Sequence, residues 1–412
     1  MKKKRSFTAF LDKYFVLKES LMATLMTIII TFAVSFIPIK FEFSKAIRQE
    51  FLGFDIYDLY YTGKHLKNTQ RDTNIVIVEI GKDRATIADQ VNLLQKYSPA
   101  VIGLDVVFDK EAQDPLENIR LLQAITQHNN IVFASRLEID STSKKAGFVT
   151  NFFDEKDRHF PAGYINFIGN QFSVLRNYPP FYKINDSVYS SFTSVIIKKF
   201  SAEKFRKLQK RNKKSEIINY TGNLENFTTL SAEQLLAGDS TGQLGSLLTG
   251  KIVLVGYFVK PGVPLVIEDL HFSPLNVQLS GKSNPDMYGV VIHANILSMI
   301  LNENYAGQAS DFLSYLIAAF LIFLFLFYML SEYKKKQHPK HGKFLLIQFL
   351  LILLMMYVFV QVFNLFLVKV PLLPIMIALV LCVELLGVYK NIALWLHKKY
   401  HYKTVFAHKH II

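Results

Sequence analysis

NIVIVEI, residues Asn74–Ile80, is a run of β-branched apolar residues with no polar alternation before Glu79. A strand with one wet face alternates apolar and polar positions. An unbroken apolar run of this length is what a strand buried on both faces needs, as in a parallel sheet. Three more runs have the same character: VIGLDVVF at Val101–Phe108, NIVFA at Asn130–Ala134 and KIVLVGY at Lys251–Tyr257. Between the first three, Ile87, Val91 and Leu94, then Leu116, Ile119, Leu122 and Ile125, recur at helical spacing. The segment therefore reads as a βαβαβ unit with right-handed crossovers. The expected fold class is α/β, with a mainly parallel sheet flanked by helices.

Beyond Arg136 the pattern is less regular. Ser141–Ala146 reads as a polar loop, Tyr164–Phe167 as a further strand and Phe192–Phe200 as a helix. The basic stretch Lys204–Lys214 reads as the solvated face of that helical region. Ile217–Tyr220 resumes strand character, Ser231 is placed to cap a helix through Leu236, and a last helix covers Val291–Leu301. No internal repeat or low-complexity segment is visible.

Four apolar runs lie outside this α/β region: Leu21–Ile39 before it, and Phe312–Leu330, Phe344–Phe363 and Val370–Val388 after it. Each approaches the roughly 20 residues a helix needs to cross a bilayer, and only Glu384 interrupts them with a charge. The +14 net charge is concentrated at their flanks. Residues 1–20 carry six Lys/Arg against two acids, 331–343 five against one, and 389–412 five against none. The stretch 40–311 carries 30 against 29. Basic flanks stay on the cytoplasmic side, and four crossings place all three surplus segments there. The expected topology is a multi-pass inner-membrane protein with a cytoplasmic N-terminus (1–20), loop (331–343) and tail (389–412). The 40–311 domain then lies outside. With the domain nearly neutral, the chain lacks the basic stripe that nucleic-acid binding requires, so no nucleic-acid partner is expected.

Ala33-Val34-Ser35 resembles a signal-peptidase site behind a basic n-region. The apolar run is longer than an h-region of about 7–15 residues, which favours an uncleaved anchor. The single cysteine, Cys382, falls in the last apolar run, so the domain must be held by its core without disulfides.

The order of segments resembles the second class of the CHASE family, the extracellular sensory domains associated with cyclases and histidine kinases. The likeness is carried by NIVIVEI, PAVIGLDVVF (Pro99–Phe108), LTGKIVLVG (Leu248–Gly256), EDLHFSP (Glu268–Pro274) and YGVVIHAN (Tyr288–Asn295). INYTG (Ile218–Gly222) and SAEQLLAG (Ser231–Gly238) fit its middle section. The chain departs from the family after its first strand. Gly81-Lys82-Asp83-Arg84 runs directly into a helix where the family usually has an acidic pair and a Trp-Pro-Trp-Pro-Arg-like turn. Larger members continue into a kinase, cyclase or phosphatase domain, for which the 389–412 tail is too short. The resemblance implies a stand-alone sensory form.

Ligands of open parallel sheets bind beyond the carboxyl ends of the strands. The residues that end the expected strands are Glu79 and Asp83, Asp105 and Asp109, Ser135 and Arg136, and Gly256. The resemblance adds Asp269, Ser273, His293, Asn295 and Arg176. Such a set suits a hard cation or a cationic small molecule. Each residue also has an ordinary structural use: strand-end Asp caps helices, and a helical His packs in a core. No metal site or cofactor is expected.

Ser280-Gly281-Lys282-Ser283 fails as a phosphate loop, because Asn276 stands where its first Gly is required. There is no Gly-x-Ser-x-Gly, His-Glu-x-x-His or Cys-x-x-Cys motif, so no catalytic residues are assigned and the chain is not expected to be an enzyme. The Asn-x-Ser/Thr triplets at Asn185, Asn219 and Asn226 read as chance matches. Glu384 is expected near the cytoplasmic end of its helix, where anchoring suffices to explain it.

The leading expectation is a sensory receptor. Its exported domain senses a small ligand or envelope partner and passes a population shift through the crossings to a separate cytoplasmic signalling protein. The alternative is a non-catalytic accessory or scaffold subunit of an envelope membrane complex.

Overall fold

The computed structural model describes residues 2–407 apart from 36–54, 66–70, 140–145, 150, 155–158, 168–172, 185, 240–241, 260–268, 277–283 and 337–338. Residues 141–145 of the expected polar loop, the Ser280–Ser283 stretch and Asn185 lie outside the described residues. Two compact units are present, Arg48–Ala306 and a second formed by Met1–Ile47 with Gly307–Ile412.

The first unit is built on six parallel strands: β1 (Asp72–Glu79), β2 (Val101–Leu104), β3 (Ile131–Ser135), β4 (Ala162–Tyr164), β5 (Phe227–Leu230) and β6 (Ile252–Gly256). Their order across the sheet is β5-β1-β6-β2-β3-β4. The strand from KIVLVGY is thus inserted between the first two, with Ile77 opposite Leu254 and Leu254 opposite Gly103.

Buried residues alternate between the two faces of the sheet. Val76, Val78, Ile102, Leu104, Ile131, Phe133, Val253 and Val255 share one core with buried residues of α3 (Arg84–Lys96) and α4 (Pro115–Thr126). Leu235 of α7 (Ala232–Leu236) and Leu244 and Leu248 of α8 (Leu244–Leu248) complete that layer. The opposite face takes α5 (Phe192–Phe200), followed by α6 (Ala202–Arg211), and α9 (Gly289–Leu301), whose residues from Val290 to Ile300 are all buried. A helix apolar all round has to be interior, and α9 is. Before the sheet, α2 (Asp58–His65) is held by a bidentate pair of Arg176 with Asp58, Nε–Oδ1 2.8 Å and Nη2–Oδ2 2.5 Å.

Several sequence expectations shift in the structure. VIGLDVVF is a strand only through Leu104, and the further strand lies at Ala162–Tyr164 rather than Tyr164–Phe167. Of Ile217–Tyr220 only Ile217 lies in a strand, the two-residue Glu216–Ile217 antiparallel to Asn177–Tyr178. The Ser231 cap is present as a complete capping box with Gln234.

Among the described residues, the second unit holds four helices long and apolar enough to cross a membrane by length and composition: α1 (Lys2–Ser35), α10 (Asp311–Lys335), α11 (His341–Phe366) and α12 (Leu373–Tyr400). Among the described residues the apolar window of α1 is Tyr14–Ala33, and residues 36–39 of the expected 21–39 crossing lie outside them. The last helix starts at Leu373 instead of Val370. Val368–Lys369 pairs instead with Gly307–Gln308, and Pro374 falls in the first helical turn, where a missing N–H costs nothing. Glu384 lies level with the start of α11, its Oε1 3.7 Å from Nε2 of His341, and is largely exposed.

Candidate functional site

The residues proposed from strand ends and from the family resemblance divide into two groups. Most are structural. Glu79 accepts from the Ala232 N–H at the start of α7 (3.3 Å). Asp83 caps α3 by accepting from the Thr86 N–H (2.7 Å), and that bond holds its carboxyl below the usual range. Asp109 pairs with Arg136 at 2.6 Å on the surface, and Arg176 is spent on Asp58. The Ser273 hydroxyl and N–H donate to Asp286 (2.5 and 2.8 Å), whose carboxyl burial pushes up to about 6.

Asn295 is a clamp. Its Oδ1 accepts from the N–H groups of Thr221 (2.7 Å) and Gly222 (3.2 Å), while Nδ2 donates to the carbonyls of Gly222 and Val291, both at 2.9 Å. The INYTG and YGVVIHAN stretches are thereby fastened to each other.

The second group converges at the carboxyl edge of the sheet. Asp105 follows β2 and has the parity of Gly103, so it points to the α9 face. Gly256 ends β6 next to it. A Cβ there would lie 2.8 Å from Val290 and 3.2 Å from the Asp105 Cβ, so glycine is what lets α9 approach. One turn along α9, His293 brings Nε2 to 3.9 Å from Asp105 Oδ1, with the side chains 5% and 11% exposed. Phe167 stacks on His293 (centroids 5.1 Å, planes 26° apart) and meets His271 edge-on at 5.3 Å, while Phe192 closes the other side of His293 edge-on at 5.3 Å.

The electrostatics follow from the burial. Loss of water pushes the Asp105 carboxyl up to about 7, and the charge of Asp269 adds to the rise. The same loss pushes the His293 imidazole down to about 3, helped by His271, itself lowered by burial. Burial thus favours the neutral form of each residue. Among the described residues, buried His293 Nδ1 has no hydrogen-bond partner. An unmet buried polar atom is costly and uncommon, and here it lies among polar groups at the edge where ligands of such sheets bind.

A cavity of about 530 Å³ lies beside the carboxyl ends of β2 and β3, lined among others by Phe108, Ser135, Phe148, Asn151, Asp154 and His159. That volume is within the range of small-molecule sites. Its walls are tied together locally: the Ser135 hydroxyl donates to the Val149 carbonyl (3.0 Å) and Asp154 accepts from the Phe160 N–H (3.0 Å).

Among the described residues, no group of three or more His, Cys, Asp or Glu is placed to hold a metal ion. His271, Phe167 and Phe192 were missed by sequence reasoning. His271 lies in EDLHFSP, two residues after Asp269, so the signal was present in the motif. The aromatic lid could only come from the fold.

A parallel α/β domain between helices long and apolar enough to cross a membrane has the architecture of a membrane-anchored domain. The CHASE2 domain matches residues 27–331, so the chain belongs to the CHASE2 family. No curated protein and no solved structure matches it. A CHASE2 sensory domain joined to membrane-spanning helices fits a sensory receptor in general.

Proposed function

We propose that the chain is a receptor whose CHASE2 domain recognises a small polar ligand or an envelope partner at the carboxyl edge of the sheet. The observation that carries this reading is the Asp105–His293 pair, buried together with an unmet imidazole nitrogen at the position where parallel sheets bind ligands. Basic flanks of the apolar helices support a topology with both termini in the cytoplasm and the domain outside an inner membrane. The domain is joined to a membrane helix at each end. Ligand binding that favours one of its conformations then biases those helices, and a separate cytoplasmic signalling protein reads the bias. No catalytic step is assigned to the domain.

The test is thermal unfolding of the full chain in nanodiscs against panels of amines, amino acids, sugars and nucleotides. A ligand should raise the unfolding temperature, and Asp105→Asn or His293→Gln should abolish the increase. The reading is lost if no compound shifts the transition and deletion of the gene leaves envelope-stress and second-messenger responses unchanged.

A further inference from the structure

The near-neutrality of the 40–311 region, from which the absence of a basic stripe was expected, conceals a strong asymmetry. Residues 198–214 carry nine Lys/Arg and one acid, so the remainder of 40–311 holds 21 Lys/Arg against 28 Asp/Glu. Nearly all of this positive charge is gathered on α6 and its two ends. Leu208 is the buried residue of α6, and ion pairs use Lys204 and Lys207 (to Glu303, 2.6 and 2.8 Å) and Arg211 (to Glu216, 2.6 Å). Lys198, Arg206, Lys210, Lys213 and Lys214 are exposed.

The ion pairs fix where along the chain this surface is anchored. Glu303 receives two of the lysines, and the Arg211 guanidinium lies 3.8 Å from the Tyr305 ring centroid. Tyr305 precedes Asp311, the first residue of α10, by six residues, and six residues reach at most about 21 Å even when fully extended. The basic helix is therefore tethered close to a membrane-entering segment, and anionic phospholipid headgroups are the complementary charge within that reach.

We propose that α6 and the 212–214 turn bind the phosphate groups of anionic phospholipids in the leaflet next to the domain. Arg206, Lys210, Lys213 and Lys214 make the contact, and Lys204, Lys207 and Arg211 hold the helix against the 303–305 segment. Sheet-edge sensing is not required for this, and lipid contact gives the domain a fixed bearing surface while its own helices move.

The experiment uses the full chain carrying a fluorophore at Gln209→Cys, reconstituted in nanodiscs containing headgroup-nitroxide lipid. The native thiol, Cys382, is buried. Quenching should be strong with phosphatidylglycerol present and fall roughly threefold in pure phosphatidylcholine, in high salt, or on replacing Arg206, Lys210, Lys213 and Lys214 with Gln. An unchanged unfolding temperature for the fourfold variant confirms that folding is intact. Equal quenching in anionic and zwitterionic discs overturns the proposal, because tethering alone then explains proximity. A response to inorganic phosphate in zwitterionic discs overturns it in favour of a soluble anion.

Discussion

His293 Nε2 lies 3.9 Å from Asp105 Oδ1 across the junction of a strand end and a buried helix, and burial moves the two groups in opposite directions. Below about pH 7 the folded pair keeps one proton, on the carboxyl. The unfolded chain also keeps one between about pH 4 and 6.5, on the imidazole. Proton uptake is therefore balanced over that window, and the wild-type pair contributes little pH dependence there.

Single substitutions expose the two halves. In His293→Gln only Asp105 remains, its folded pKa raised from 3.8 to about 7. Its contribution is complete below the unfolded value and is lost as pH rises through 7. In Asp105→Asn only His293 remains, depressed from 6.5 to about 3, so its contribution is present above 6.5 and is lost as pH falls toward 3. Relative to wild type, the two variants should show stability slopes of opposite sign, on the order of 1 kcal/mol per pH unit between pH 4 and 6.5. Denaturant unfolding at four pH values measures both. Parallel slopes would mean that burial does not move the two groups apart.

The Arg176–Asp58 pair yields a stability prediction. Both side chains are mostly buried, 16% and 6% exposed. Arg176→Ala leaves a buried carboxylate uncompensated and should cost about 3–5 kcal/mol. Arg176→Met with Asp58→Leu removes both charges and should recover most of that loss. Lysine at 176 cannot reproduce the two-pronged contact, so Arg176→Lys should behave more like Arg176→Ala than like wild type. Urea titration of the four proteins distinguishes these outcomes.

The parallel α/β class was legible because NIVIVEI, VIGLDVVF, NIVFA and KIVLVGY are apolar on both faces, and only a covered sheet accepts such strands. Strand order was not. Nothing local in KIVLVGY says that it enters between β1 and β2, because that pairing joins segments far apart in the chain. Phe227–Leu230 was missed as a strand because its FTTL sequence is half polar and it sits at the sheet edge. The candidate site was legible as a set of residue types without their partners. Asp105 and Asp83 look alike as strand-end acids, yet one is a buried neighbour of His293 and the other an ordinary helix cap.

Gly256 tests how closely α9 must approach. Gly256→Ala places a methyl within 2.8 Å of Val290 Cβ and should cost about 1–3 kcal/mol, since neither strand nor helix can yield without moving the other. The displaced helix carries His293, so any ligand-induced thermal shift should shrink along with the stability. Val290→Gly in the same chain removes both contacting atoms and should restore part of both, and failure of that rescue would show that the contact is not the cause.

Glu19 of α1 is fully buried, and both its oxygens accept hydroxyl hydrogens from the segment after α12: Oε1 from Tyr402 (2.7 Å) and Oε2 from Thr404 (2.9 Å). Phe406 adds edge-on contacts with Tyr333 and Tyr389. Leaving a buried acceptor without its donor costs about 1–3 kcal/mol. Removing a donor by Tyr402→Phe or Thr404→Val should therefore loosen this strap measurably. Lys403 is exposed between the two donors and supplies a trypsin site whose cleavage reports local opening. Each variant should be cut at Lys403 roughly tenfold faster than wild type in mild detergent, and the double variant faster still. Unchanged rates would assign the strap to the packing of Val405 and Phe406 alone, with Glu19 left as an acceptor that the segment does not need.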